Sequence, residues 1–463
     1  MNRILAFMGL FILSLSSSAQ SGNDILNLLI SKGAISQDEA DSLRAEASIS
    51  QQNNLPDKKF RINLELRPRF MYKNGYKQIP NDTTTAAYQV DQRTRLNLSY
   101  ENDHKLAILV SLQDLRIWGQ QDPKSSTPST FQVYEAWAEP YLNKHLSVRI
   151  GRQRLMFDNQ RLFAENNWST SGGSHDALNF RYYSNKINSE LAMAWNQSSE
   201  RTFGTDFSPS GFSFYKFLLV NYFRYQLNDQ FVLTALNSAD SYQNSRHAEK
   251  YNTRFTDGGR IEFTRGSLYL TLGGYYQCGK NNSGTRLRAW YLQPEARGNF
   301  LRNTTVRIGA EIFSGNDPDA SAETDHSFVP LYGVAHRFNG SLDLIARFPQ
   351  DVGNAGLVNP YFFLIQNINK KIDARCDIHL FYLKENYVVK DEKLNHYLGW
   401  ENDWMFTYKP NGFTTLELGY SFAPVTETFE IIKKSGPAVS RQVAQFAYLM
   451  ITFKPVLFSA NFN

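Results

Sequence analysis

The residues with the most chemical potential in this chain are arginines that recur at every second position. In FRINLELRPRF (60–70), Arg61, Asn63, Glu65, Arg67 and Arg69 share one parity, and Phe60, Ile62, Leu64, Leu66 and Phe70 take the other. YQVDQRTRLNLSY (88–100) repeats the pattern, with Gln89, Asp91, Arg93, Arg95 and Asn97 facing away from Val90, Leu96 and Leu98. Arg149 in HLSVRIGRQRL and Arg181 in DALNFRYY extend the series. Arg152 and Arg154 fall on the parity of Ile150 unless the strand bends near Gly151, and Arg116 needs a similar phase shift after Leu112. With those bends, the expected anion-contacting set is Arg67, Arg69, Arg93, Arg95, Arg116, Arg149, Arg152, Arg154 and Arg181. A guanidinium is permanently charged and grips carboxylate or phosphate in bidentate fashion. A ring of them in a narrow passage raises the local potential and favours anions.

Glu65, Asp91, Asp114, Glu135 and Glu139 lie on nearby stretches. An arginine facing one of them is a structural ion pair, so the set divides between anion contact and wall rigidity. Trp118, Trp137 and Tyr134 would stack on sugar rings or simply fill space. Enzyme motifs are absent: there is no GxSxG, no P-loop, and no GxGxxG opening a helix. His175 beside Asp176 is a fragment of a catalytic constellation, and His336 and His379 sit near carboxylates as scattered histidines do. No enzyme activity, cofactor or metal is expected. The acidic stretch SGNDPDASAETDHSF (314–328), with Asp317, Asp319, Glu323 and Asp325, has no glycine or terminal glutamate in calcium-loop register, and reads as a solvated loop. Cys278 and Cys376 sit on the apolar parity of their strands and read as free thiols packed as small hydrophobes.

The elements that must carry these arginines alternate with a period of two from residue 60 to the C-terminus. Roughly 18 such stretches of about 9–12 residues can be counted, the length a tilted strand needs to cross a bilayer core. Short connections such as Glu101–His104 and Ser184–Lys186 alternate with long polar ones such as Asn196–Ser213 and Ser314–His326. Lipid offers no hydrogen bonds, so a sheet in a membrane must close on itself, apolar outside and polar within. The fold class is therefore all-β: a transmembrane antiparallel β-barrel of about 18 strands over residues 59–463. A soluble sandwich or propeller also alternates, but its strands are shorter and its polar face does not need arginine. Aromatics at 14%, with 33 Phe and 25 Tyr, fit interfacial girdles. Ahead of the barrel, residues 1–19 read as a signal peptide, with Arg3, the apolar run Ile4–Leu15 and a Ser17-Ser18-Ala19 cleavage site. Residues 20–58 read as a short periplasmic helical hairpin and polar linker, with a capping box from Ser36 to Glu39.

QRTRLNL, SLQDLRIWG, VYEAWAEPYL, RIGRQRL, SGNDPD, LYGVAHRFNGSLDL and GWENDWMFTYKP, in this order, resemble the alginate-export porin family of outer-membrane barrels. The resemblance runs from about residue 60 to the C-terminus. It implies a monomeric 18-stranded barrel whose electropositive constriction passes acidic polysaccharide outward. It points to Arg93, Arg95, Arg116, Gly151, Arg152 and Gln153 as the matching positions. The expected partners are outer-membrane lipid and lipopolysaccharide, an acidic polysaccharide or small anions, and periplasmic export proteins; nucleic acid is not expected. A general or phosphate-selective porin is the first alternative, favoured if the N-terminal hairpin is a trimer element. A barrel enzyme is the second. A TonB-dependent receptor would need a plug of well over a hundred residues before Phe60.

Overall fold

The computed structural model describes residues 58–120, 130–204, 214–244, 249–301, 303–433 and 443–462. The expected signal peptide and helical hairpin lie outside the described residues, save Lys58, which opens the first strand.

Eighteen strands form the wall. They are β1 (Lys58–Asn74), β2 (Ala87–Asn102), β3 (Leu106–Ile117), β4 (Phe131–Pro140), β5 (Leu146–Gln153), β6 (His175–Tyr183), β7 (Ile187–Trp195), β8 (Phe217–Gln226) and β9 (Phe231–Gln243). β10 (Tyr251–Arg265), β11 (Leu268–Lys280), β12 (Arg286–Leu301), β13 (Thr304–Phe313), β14 (Leu357–Asn369), β15 (Ile372–Leu383), β16 (Tyr397–Asn411) and β17 (Thr414–Pro424) follow. The last, β18, comes in two pieces, Val443–Phe453 and Val456–Phe462. Each pairs antiparallel with its sequence neighbours, and β18 returns to β1, with Tyr72 opposite Ala447 and Lys58 opposite Phe462. The sheet is thus a closed cylinder. Closure leaves no lipid-facing edge with unpaired amides, the condition a sheet must meet in hydrocarbon. Tight turns (103–105, 184–186, 266–267, 370–371, 412–413) gather on one rim and long connections (75–86, 154–174, 314–356, 425–442) on the other.

The alternation sorts the two faces. Ile150, Ile261, Leu272, Ile308, Phe406 and Leu418 stay exposed on the outside. In water such a belt would be an aggregation surface; in a bilayer it meets its own solvent. The opposite parity of β1 and β2 buries Glu65, Arg67, Arg69, Arg93 and Arg95 on the inside.

Two long connections turn inward. The β5–β6 loop (154–174) contributes Leu155, Phe157, Leu162 and Phe163, and the β13–β14 loop (314–356) contributes Phe328, Tyr332, Leu342, Leu344, Ile345 and Phe348. They pack with inner-face residues Leu218, Tyr222, Tyr275, Tyr291 and Phe313 into one apolar cluster. A connection rich in large apolar side chains cannot lie in water without cost, so it folds into the barrel. A short helix, α1 (Glu427–Lys433), braces the second loop: Lys433 Nζ donates to Leu344 O and to Asp351, each at 2.8 Å.

Candidate functional site

On the inner face, the β5–β6 loop meets β1 and β2. Register places Arg67 opposite Arg93, Glu65 opposite Arg95 and Arg69 opposite Asp91. Four guanidiniums in so small an area need acceptors, because a buried charge is costly unless hydrogen-bonded. Carboxylates meet part of the need. Arg93 Nε donates to Glu65 Oε1 at 2.6 Å, and Arg69 lies 3.3 Å from Asp91. Lys454 sits 3.6 Å from Glu65.

The rest is met by the loop's main chain. Arg67 Nη1 donates to Asn167 O at 2.7 Å and Nη2 to Ser169 O at 3.2 Å. Arg69 Nη1 donates to Trp168 O at 2.9 Å. Arg93 Nη2 donates to Asn167 Oδ1 at 2.7 Å. Gln113, on β3, donates to Ser171 O at 2.9 Å and accepts from Arg95 Nη2 at 2.7 Å. Arg95 also lies over the Tyr134 ring, 3.5 Å from its centroid. Among the described residues, Arg67 and Arg95 thus hydrogen-bond only to neutral acceptors. Trp168 is flanked by the Arg69 guanidinium, 4.3 Å from the ring centroid, and stacks on the His336 imidazole of the second inward loop at 3.9 Å.

The other expected arginines fall into two groups. Arg154 faces inward, 2.9 Å from Glu135 and 2.6 Å from Glu165 on the loop. The Glu165 carboxyl is buried, which would push its pKa up, but the Arg154 guanidinium outweighs that and holds it below the usual range. Arg149 and Arg181 both pair with Glu139, at 2.7 and 2.8 Å, with Arg149 stacked over Trp137. These three are inner-face ion pairs.

Arg116 and Arg152 are corrections. The phase shifts expected near Leu112 and Gly151 do not turn these side chains inward. A bulge does occur beside Leu112, where the register against β4 slips between Ser111 and Leu112, but it turns Tyr134 and Glu135 of β4 inward instead. Arg116 stays on the outer parity, opposite Gln92, and pairs along its own strand with Asp114 at 2.6 Å. Asp114 is therefore an outer-face carboxylate too. Arg152 keeps the parity of Ile150 and pairs across β5–β6 with Asp176 at 2.8 Å. Gly151 has φ +121, and a Cβ there would collide with the Ala136 carbonyl. The glycine permits close strand approach without rotating the face. Gln153 is inside and buried, and its amide donates to Ala177 O at 2.9 Å. Trp118 is also outside, where its indole N–H donates to Gln92 and its ring meets Phe70 edge-on.

His175 and Asp176 are strand neighbours on opposite faces: His175 is buried inside against Tyr215 OH, and Asp176 is outside. Asp325 accepts hydrogen bonds from Asn281, Asn316 and the Ser327 amide, so its carboxylate is a loop brace. Both thiols are free. Sequence reasoning missed Gln113, Asn167, Trp168 and Glu165. The signal was the apolar, Trp-ended run RLMFDNQRLFAENNW inside a connection.

A closed 18-strand barrel with an apolar belt, a polar interior and loops folded into its bore is the architecture of an outer-membrane channel. The family model described as "Alginate export" matches residues 59–340, and the chain belongs to that family. Its fold is similar to that of the outer membrane protein opdK of Pseudomonas aeruginosa, at TM-score 0.56 and 10% identity over 88% of this chain and 100% of that one. It is likewise similar to a BenF-like porin from Pseudomonas fluorescens Pf-5, at TM-score 0.57 and 12% identity over 86% and 99% of the two chains. Acinetobacter baumannii OccAB2 gives TM-score 0.57 and 11% identity over 86% and 98%. A search of the curated proteins returned no match.

Proposed function

We propose that this outer-membrane channel passes an acidic, alginate-like polysaccharide outward by passive diffusion, as a monomer, along an inner track of Arg67, Arg69, Arg93 and Arg95. The observation that carries the reading is that Arg67 and Arg95 hold neutral acceptors in place of carboxylates. Their charge is left to attract a passing anion, whereas an arginine locked to a carboxylate presents a dipole. Arg149, Arg154 and Arg181 serve as secondary contacts, each already paired within the bore. Membership of the alginate export family supports polymer over small solute. A second reading, admission of small organic anions, is favoured by the two loops folded into the bore, and the structural neighbour OpdK has been solved with vanillate.

Planar-bilayer recording of the purified full chain under a KCl gradient tests the proposal. The expected result is an anion-selective reversal potential and a current that responds to oligouronate but not to a neutral oligosaccharide of the same length. A pore without anion preference that ignores uronate overturns it.

A further inference from the structure

We propose that the tip of the β5–β6 loop is a latch in which main-chain carbonyls occupy the arginine track in place of substrate, and that a polycarboxylate chain opens the channel by displacing it. The proposal rests on the polyanion reading above. Its evidence is the kind of atom the arginines hold. The Asn167, Trp168 and Ser169 carbonyls, consecutive along the chain, accept from Arg67, Arg69 and Arg93, and the Ser171 carbonyl accepts from Gln113. These oxygens are presented side by side by a turn that the Ser169 amide closes onto Asn166 O, each turned to a guanidinium, and they stand where the carboxylates of a polyuronate would, except that a carboxylate oxygen carries charge. A guanidinium makes a charge-assisted hydrogen bond to a carbonyl and to a carboxylate alike, but only the carboxylate adds the attraction between two full charges and a bidentate grip. The loop therefore satisfies the buried guanidiniums well enough to keep the closed state, and less well than carboxylates would. That difference in affinity between the two states is what a ligand needs in order to shift a population.

The local geometry lets the tip move as a unit. The Gly173 amide donates to Glu165 O at 2.6 Å, closing a neck below the tip. Asn166 (φ 51) and Gly172 (φ 74), both in the left-handed region, bracket the segment that carries the carbonyls. Arg154 secures the neck through Glu165, at 2.6 Å, and the neck is the part that holds while the tip swings. Trp168 clamps the tip between Arg69 and His336.

The test records single channels of the full chain while oligomannuronate is added to one side, with a neutral oligosaccharide of equal length as control. Alongside it, Ser169→Cys in a Cys278→Ser, Cys376→Ser background is labelled with a maleimide. The expected result is that oligouronate populates a higher-conductance state and speeds Ser169→Cys labelling several-fold. Trp168→Ala, which removes the clamp and leaves every guanidinium, should reach that state without ligand and still respond to uronate. Block by oligouronate with no higher state and unchanged labelling overturns the latch and leaves the polyanion reading standing. Indifference to uronate in current and labelling alike overturns both. A Trp168→Ala channel that conducts as wild type does also overturns the latch, and the labelling rate read on the otherwise intact Trp168 protein guards against misfolding of that variant.

Discussion

Two parts of the barrel wall turn arginines inward and give most of them opposite kinds of acceptor. On β9 to β15 three guanidiniums are neutralised by carboxylates on the neighbouring strand or two residues along: Arg254 with Asp240 at 2.5 Å, Arg307 with Glu295 at 2.6 Å and Arg375 with Asp377 at 2.6 Å, while Arg260 on β10 departs from that pattern and donates to Gln293 and Thr271. On β1 and β2, Arg67 donates to loop carbonyls and Arg95 to a glutamine. The first arrangement is a rivet; it fixes neighbouring strands and leaves little net field. The second leaves the charge uncancelled at short range and ties a loop to the wall. Residue type does not separate the two roles, but the acceptor does.

The largest consequence of that difference concerns stability. Arg254→Ala would strand the Asp240 carboxylate, which is fully buried among Tyr242 and Tyr332. Removing one partner of a buried pair costs roughly 3–5 kcal/mol. Thermal unfolding in detergent should show a large loss for this variant, while the reversal potential of surviving channels stays as in wild type. Arg67→Gln combined with Arg95→Gln should invert the result. A unit charge about 10 Å from a passing ion is worth roughly 1.5 kcal/mol at an effective dielectric of about 20. Anion-to-cation permeability should therefore fall by about tenfold or more, with only a modest change in unfolding temperature. If both variants move selectivity equally, the division between rivets and track is wrong.

The sequence displayed the faces of this wall but not its partners. Strict alternation in residues 60–70 was enough to put Arg67 and Arg69 inside and Leu64 and Phe70 outside, because a strand's side chains have a fixed period of two. The barrel, its strand count and its two unlike rims follow from the same regularity. Whether an inward arginine meets a carboxylate depends on register, which local pattern does not specify. Arg307, for example, lies directly opposite Arg297 and reaches Glu295 only on the diagonal. The loop was illegible for a different reason. Its apolar residues, Leu155 to Trp168, obey neither period, and their partners in the cluster lie as far away as Phe348. Gly151 misled because a glycine in a strand signals either a bend or a close approach, and here it is the second.

A smaller effect separates the two inward loops from the wall they brace. Asp343, on the β13–β14 loop, accepts from Tyr76 Oη at 2.5 Å and faces His336 Nδ1 at 3.1 Å. Burial alone would raise its pKa; His336 and the hydrogen bonds outweigh burial and hold it below the usual range. A depressed folded pKa contributes stability that is present above the unfolded value, about 3.9, and is lost as pH falls through the lower folded value. The loop anchor should therefore hold at neutral pH and weaken only in acid below about pH 4. Unfolding temperature measured from pH 7 to pH 3 should show this step in the wild type, and Asp343→Asn should flatten it. A step near pH 6 would assign the anchor to a different group.

The smallest effect is expected outside the bore. Arg152 and Asp176 form a bidentate pair on the outer parity, with side chains 42% and 54% exposed. An exposed pair contributes about 0–1 kcal/mol. Arg116 with Asp114 is its counterpart on β3. Arg152→Ala should leave both unfolding temperature and reversal potential nearly unchanged, in contrast to the double variant at Arg67 and Arg95. A wall one residue thick makes this a sharp test, since adjacent residues of one strand face lipid and bore. If Arg152→Ala shifts the reversal potential, β5 must turn over at Gly151 after all, and the track would extend from β2 to β6. If it does not, the field inside the barrel comes from the inner parity alone, and a count of arginines along the sequence overstates it by the ones that face outward.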